Sequence, residues 1–340
     1  MKILIDICHP AHVHFFYNPI RLLIQEGHEI LITSRDKEVT INLLDALGLP
    51  HTTLSTASNG GIKGLAFEMI ERNYALYKTV KRFNPDILTA IGGIFIAQIG
   101  WLTKTKSIVF YDTENAKLQN ALTYPFTDLV VVPNCYQSWT PKSHLRYSGY
   151  HELSYLHPDY FTPDRAIAHS NGLAEECDTF LIRVVNWQAN HDIGETGWSP
   201  IILEEIIETL AKKGKVIVSS ESKLPKKLQE YSYSGDPLHL HHVLAFCRLY
   251  VGESATIASE SVSLGVPAIY AAQTGRGYCD EQEQKYGLLK NIRQINTSTI
   301  EKSINEMLEL SQEDLHKRHQ KLLNETTDMP KFIINLLLSQ

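Results

Sequence analysis

At 340 residues the chain is long enough for two domains, and 43% hydrophobic against 21% charged residues is ordinary for a globular protein. A formal net charge of −6 argues against broad, non-specific binding of nucleic acid, which needs a basic surface. Cys8, Cys135, Cys177, Cys247 and Cys279 show neither close pairing nor metal-ligand spacing, and no apolar stretch approaches the ~20 residues of a membrane span. The expectation is a reduced cytoplasmic protein without an export signal.

Taken in order, the chain predicts a doubly wound α/β organisation. Lys2 to Ile7 is apolar and β-branched and reads as a first strand. Phe16, Ile20, Leu23 and Ile24 recur at helical spacing, so a helix is expected over Phe15 to Gln25, closed by Gly27. Between them, His9, His12 and His14 fall in an expected loop at the carboxyl edge of a parallel sheet, where ligands bind. No Gly-x-Gly-x-x-Gly follows the strand, so a dinucleotide cofactor is not indicated, and His-x-His lacks a recognisable third ligand, so no metal is expected. A neutral imidazole suits a general base for His12; the alternative is a loop cap, and for His9 and His14 the two readings weigh equally.

Strands follow at 30–34, 51–54, 87–91, 107–111 and 129–133, with helices expected at 36–47 and 65–83. Gly92 and Gly93 mark another strand–glycine–helix junction and are candidate substrate contacts. Asp112 and Glu114 in Asp112-Thr113-Glu114-Asn115 can orient a histidine or bind a hydroxylated acceptor, or can form an Asx turn and a helix cap. The first domain is expected to end near Tyr150, followed by an aromatic, proline-containing linker to Asp164.

A second domain opens with a strand at 179–185, where Arg183 is odd for a core position and can meet a phosphate or a carboxylate. The polar loop after it carries Asn186, Trp187, His191 and Asp192 as candidate substrate contacts. Ser199-Pro200 starts a helix. The strand at 216–218 leads to Ser219 and Glu221 as candidate donor contacts. The most informative stretch is Gly252 to Pro267: strand, small-residue turn, helix, Gly-x-Pro, strand. A helix N-terminus presents unbonded N–H groups and a positive dipole end, so Ser254, Ala255 and Thr256 can receive a phosphate, with Glu260 placed for a ribose. The alternative is an ordinary βαβ unit with a serine cap. Arg276 lies between Gly275 and Gly277 in a polar loop suited to gripping a ligand. Helices are expected at 300–310, 313–323 and 332–338, the last packing back on the first domain. The expected domains are 1–150 for an acceptor, 151–328 for a donor, and a C-terminal helix over 329–340.

Two βαβ-rich halves resemble the GT-B architecture of nucleotide-sugar enzymes. Ser254-Ala255-Thr256-Ile257-Ala258-Ser259-Glu260, then Leu264-Gly265-Val266-Pro267, is similar to the donor-site helix of the MurG-type GlcNAc transferases and of the non-hydrolysing UDP-GlcNAc 2-epimerases. That resemblance implies diphosphate contact at Ser254 to Thr256 and ribose contact at Glu260. Glu253-Ser254-Ala255 departs from the Ser-Gly signature usual there. Ala11-His12-Val13 resembles the Gly-His-Val of the MurG type, which implies that His12 is the base. Tyr111 to Asn115 falls where that family has His-Glu-Gln-Asn. Over nearly its full length the chain resembles a family of MurG-like predicted glycosyltransferases of archaea and bacteria, catalogued as a domain of unknown function. His9-Pro10-Ala11-His12-Val13-His14-Phe15-Phe16, Ser34-Arg35-Asp36-Lys37, Leu156-His157-Pro158, His191-Asp192 and Gly252-Glu253-Ser254-Ala255-Thr256 carry it.

The function expected is a metal-independent GT-B glycosyltransferase needing no cofactor. Its donor is a nucleotide-diphosphate sugar, UDP favoured, and its acceptor a glycan or lipid-linked molecule of surface polysaccharide synthesis. Nucleic acid is not an expected partner, and peripheral contact with the inner membrane face is left open. The alternatives are a 2-epimerase-like enzyme and a non-catalytic nucleotide-sugar-binding protein.

Overall fold

The computed structural model describes residues 1–56, 61–185 and 197–340. The chain divides into two compact units, Met1–Tyr155 with Thr327–Gln340, and Leu156–Thr326. The division falls at Tyr155, five residues beyond the expected boundary at 150.

In unit 1, β1 (Lys2–Ile7), β2 (Glu29–Asp36), β3 (His51–Thr56), β4 (Ile87–Ile91), β5 (Lys106–Phe110), β6 (Leu129–Pro133) and β7 (His144–Tyr147) form one parallel sheet. Its order is β3-β2-β1-β4-β5-β6-β7, so the strand order reverses between β1 and β4. In unit 2, β8 (Thr179–Val184), β9 (Lys215–Ser220), β10 (Leu249–Gly252), β11 (Ala268–Ala271) and β12 (Leu289–Ile292) are also parallel, in the order β12-β11-β10-β8-β9. There the reversal lies between β8 and β10. Ligands of open α/β sheets bind at the carboxyl ends of such strands.

The helices of unit 1 are α1 (Pro10–Gln25), α2 (Thr40–Ala46), α3 (Gly61–Phe83), α4 (Ile94–Thr103) and α5 (Lys117–Thr123). The short α6 (Leu153–Leu156) carries the chain into unit 2. There follow α7 (Arg165–Ser170), α8 (Pro200–Ala211), α9 (Leu240–Leu244), α10 (Ala255–Ser263), α11 (Gly277–Glu281), α12 (Thr297–Leu308) and α13 (Gln312–Glu325). The last, α14 (Met329–Leu338), returns to unit 1 and packs on α1. Among the described residues no helix is long and apolar enough to cross a membrane.

Helix α1 starts five residues before its expected start at Phe15. Pro10 occupies the first turn, where a missing N–H costs nothing, and the His9 side chain caps the helix by accepting from the Ala11 N–H. Inside α1, Pro19 offers no N–H to the carbonyl four residues back. That carbonyl, of Phe15, accepts from Ser154 Oγ at 2.5 Å instead, and Asn18 Nδ2 donates to the Ser154 carbonyl at 2.9 Å. Helix α2 begins at Thr40 rather than Asp36: β2 runs on to Asp36, and Glu38 has φ +53°, which no right-handed helix tolerates. Strands β7 and β12 lie at sheet edges, and their sequences, His144 to Tyr147 and Leu289 to Ile292, mix polar with apolar residues and give no continuous apolar run.

Each sheet is buried against its helices. Leu4, Leu88, Val109 and Val130 meet Leu76 and Val80 of α3 in unit 1, and Phe180, Val251 and Ile269 meet Ile206 of α8 and Ile304 of α12 in unit 2. A polar network also sits at the carboxyl edge of unit 1. Arg72 of α3 is 0% exposed and Asp6 of β1 is 1% exposed. Arg72 Nη2 donates to Asp6 Oδ1 at 2.6 Å, and Nη1 donates to the Ser34 carbonyl and to Ser55 Oγ, each at 3.0 Å. Thr33 Oγ1 donates to the same Asp6 oxygen, and Arg35 makes a two-pronged pair with Glu68 at 2.6 and 2.8 Å. Removing one partner of a buried pair leaves an uncompensated charge. Arg72→Met is therefore expected to lower the unfolding free energy by about 3–5 kcal/mol, read from urea denaturation.

Candidate functional site

In unit 1 the candidate residues gather at the carboxyl ends of β1, β4 and β5. His12 lies in the first turn of α1, not in a loop, and its Nδ1 faces the Cys8 N–H at 3.4 Å. Burial, then the neighbouring His9, push its pKa well below the ordinary histidine value, against the pull of Asp112. The imidazole is thus neutral near pH ~7, as a proton acceptor must be. The His9 ring lies 5.9 Å from that of His12, and its Nε2 is 3.7 Å from Glu38. His14 stacks on Tyr155 at 5.2 Å.

Asp112 Oδ2 lies 3.1 Å from His151 Nδ1, a residue the sequence reading had placed in the linker. The carboxylate expected to orient His12 therefore lies against another histidine. Thr113 Oγ1 donates to Asp112 Oδ1 at 2.9 Å, a bond between adjacent side chains, and the Glu114 carbonyl accepts from Ser138. Gly92 and Gly93 sit at the junction as expected, with φ +73° and +57°. The space beside them is filled, however. A Cβ on Gly92 would meet Gln119 Nε2 at 1.8 Å, and one on Gly93 would meet Val109 at 2.4 Å. Both positions are thus closely packed, with backbone in the left-handed region that favours glycine. The Gly92 carbonyl accepts from the Tyr111 and Thr123 hydroxyls.

In unit 2 the stretch from Gly252 to Pro267 folds as β10, turn, α10, and a return into β11. Ser254 caps α10, its Oγ accepting from the Ile257 N–H at 3.3 Å. Ala255 is buried, Thr256 is half-buried, and Tyr250 Oη donates to the Ser254 carbonyl at 3.0 Å. Gly252 is required by close approach: a Cβ there would lie 2.4 Å from the Arg183 carbonyl of β8. The departure at Glu253 has a structural cause. Its carboxylate, on a residue 2% exposed, accepts from the Val185 N–H at 3.1 Å and the Trp198 N–H at 2.6 Å. A glycine could not tie the end of β8 to the approach of α8.

Arg183, Ser219 and Glu221 are brought together. Arg183 Nη1 donates to Ser219 Oγ at 2.7 Å and Nη2 donates to Glu221 Oε1 at 2.9 Å. Glu260 is buried on α10, and His241 Nε2 of α9 lies 3.0 Å from its Oε1. Arg276 is 9% exposed just before α11, with Nη1 donating to the Gly275 carbonyl. Asn186, Trp187, His191 and Asp192 lie outside the described residues. Among the described residues no group of His, Cys, Asp and Glu is arranged to hold a metal.

Burial also depresses His242 and His319. A depressed histidine contributes stability that is present above its unfolded value, about pH 6.5, and is lost as pH falls through the folded one. The protein is expected to lose stability from about pH 7.5 to about pH 5, and His12→Asn to show a flatter dependence in urea melts at both pH values.

Solved structures of similar fold cover the whole chain. The UDP-GlcNAc 2-epimerase of Methanocaldococcus jannaschii superposes with a TM-score of 0.71 at 14% identity, covering 100% of both chains. MurG of Acinetobacter baumannii superposes with a TM-score of 0.64 at 11% identity, again over 100% of each. Both sheets and their helices therefore form a GT-B fold. By sequence, the chain is 23% identical over 324 residues to the uncharacterized protein MJ0665 of Methanocaldococcus jannaschii, 90% of each being covered. Residues 1–339 match the family described as protein of unknown function (DUF354), and the chain belongs to that family.

Proposed function

We propose that the protein is a metal-independent glycosyltransferase that moves a sugar from a nucleotide diphosphate, UDP favoured, to a glycan or lipid-linked acceptor in surface polysaccharide synthesis. One observation carries it: His12 stands in the first turn of α1 at the carboxyl edge of β1, its Nδ1 facing the Cys8 N–H, where burial favours the neutral imidazole. His12 takes the proton of the acceptor hydroxyl. The oxygen attacks the anomeric carbon, the bond to the diphosphate breaks, and the diphosphate leaves with the electron pair. Asp112 stabilises the imidazolium that forms, and Glu114 lies on the same turn. In unit 2 the N–H groups at Ser254, Ala255 and Thr256 receive the departing diphosphate, where a helix N-terminus substitutes for a metal charge. Arg183, Ser219, Glu221 and Arg276 are the polar groups proposed around it, with Glu260 on the ribose.

Exposed Phe67, Ile70 and Tyr74 of α3, with Trp101 and Leu102 of the adjoining α4, support a lipid-linked acceptor. Serine at both Phe67 and Ile70 is expected to reduce co-sedimentation with lipid vesicles.

The second reading is a 2-epimerase-like enzyme, supported by the likeness of fold to the epimerase. Thermal-shift measurements against nucleoside diphosphates and their sugars test both, since a ligand that binds only the fold stabilises it. A UDP-sugar is expected to raise Tm, and no stabilisation by any member of the series overturns both enzyme readings. Deuterium uptake at C2 of UDP-GlcNAc in heavy water overturns the transferase. With a working donor and acceptor, His12→Asn is expected to lower kcat by about 10²–10⁴.

A further inference from the structure

His151 is set into unit 1 by the same bonds that repair the proline in α1. Ser154, three residues on, gives its hydroxyl to the Phe15 carbonyl and takes the Asn18 amide on its own carbonyl. The imidazole packs on the Phe15 ring at 4.4 Å and lies parallel to the Tyr147 ring at 6.4 Å, an interplanar angle of 10°. The residue is 6% exposed. Its Nδ1 donates to Asp112 Oδ2 at 3.1 Å, while Nε2 is buried with no hydrogen-bond partner among the described residues. An imidazole so enclosed has one function available through its nitrogens, which is to hold the carboxylate.

That carboxylate also acts on His12. We infer that His151 is a positioning residue: by fixing Asp112 it divides the carboxylate between two imidazoles and so sets how strongly His12 holds a proton. The charged and titratable groups around His12 are His9 at the cap of α1, Lys37 after β2, Asp112 after β5, and His151 itself. Glu38 faces His9, and Tyr147 and Glu152 flank His151. Asp112 is the acid in this set acting to favour a protonated His12, so where it is held matters more than how many charges surround it.

The consequence for catalysis rests on His12 acting as the base, but the test needs no substrate. The His12 titration is followed by NMR on the full chain with labelled histidine, its signal identified by loss in His12→Gln. In His151→Phe and His151→Leu the imidazole's hold on Asp112 is lost, and the His12 midpoint is expected to rise by about one unit. In Asp112→Asn it is expected to fall. His151→Asn, whose amide can donate in place of Nδ1, is expected to stay with the wild type. Circular dichroism identifies which of the two apolar variants is folded. An unchanged midpoint in a folded apolar variant, or an asparagine variant shifted as far, overturns the proposal. A shifted titration in a protein that turns over no nucleotide sugar upholds it and removes only the catalytic consequence.

Discussion

Arg72 has no access to solvent, and its charge is met by Asp6, Ser34 and Ser55, one from each of β1, β2 and β3. A guanidinium taken out of water is tolerated only where nearly every donor finds an acceptor. The ends of three strands are thus held to one geometry, and α3 is held over them. Cys8 sits in the same network, its Sγ 3.3 Å from Asp6, with burial and that carboxylate pushing the thiol upward. It is a neutral packing group rather than a nucleophile. Helix α1 and its histidines follow directly from this anchored strand end.

In unit 2 the corresponding constraint is the carboxylate of Glu253. It takes two backbone N–H groups that no strand or helix would otherwise satisfy, one on each side of the stretch joining β8 to α8. Next to it, Ser254 has its hydroxyl committed to capping α10. The proposed anion site at this turn therefore rests on backbone N–H groups and the helix dipole rather than on the serine hydroxyl.

Much of the fold was legible because buried parallel strands are continuous apolar runs and helix ends carry capping chemistry. Lys2 to Ile7, Ser199-Pro200 and Gly252 to Pro267 are clear cases. The edge strands β7 and β12 mix polar with apolar residues and lack that signal, whereas β9, also at an edge, carries it. The start of α1 was misplaced because the apolar rhythm begins later than the helix, although Pro10 was a readable signal for a first turn. At the site, His12 and Asp112 stand out in the sequence, but the histidine that Asp112 meets, His151, does not. Nothing in the spacing of Asp112 and His151 announces that they meet, since residues 39 apart in the chain come together only through the packing of residues 150–155 on α1. Arg72 was invisible for a similar reason, being one basic residue on a helix rich in them.

The discontinuity of unit 1 bears on how the protein is made. Unit 2, Leu156–Thr326, is a single stretch and can complete its sheet as soon as it has left the ribosome. Unit 1 begins first but is finished last, because Ile333 and Leu337 of α14 are buried components of its interior. Until those residues emerge, the face of α1 that receives α14 is uncovered. The nascent chain thus carries an unsealed apolar surface through the whole synthesis of its second half, the interval in which a chaperone would have most to do.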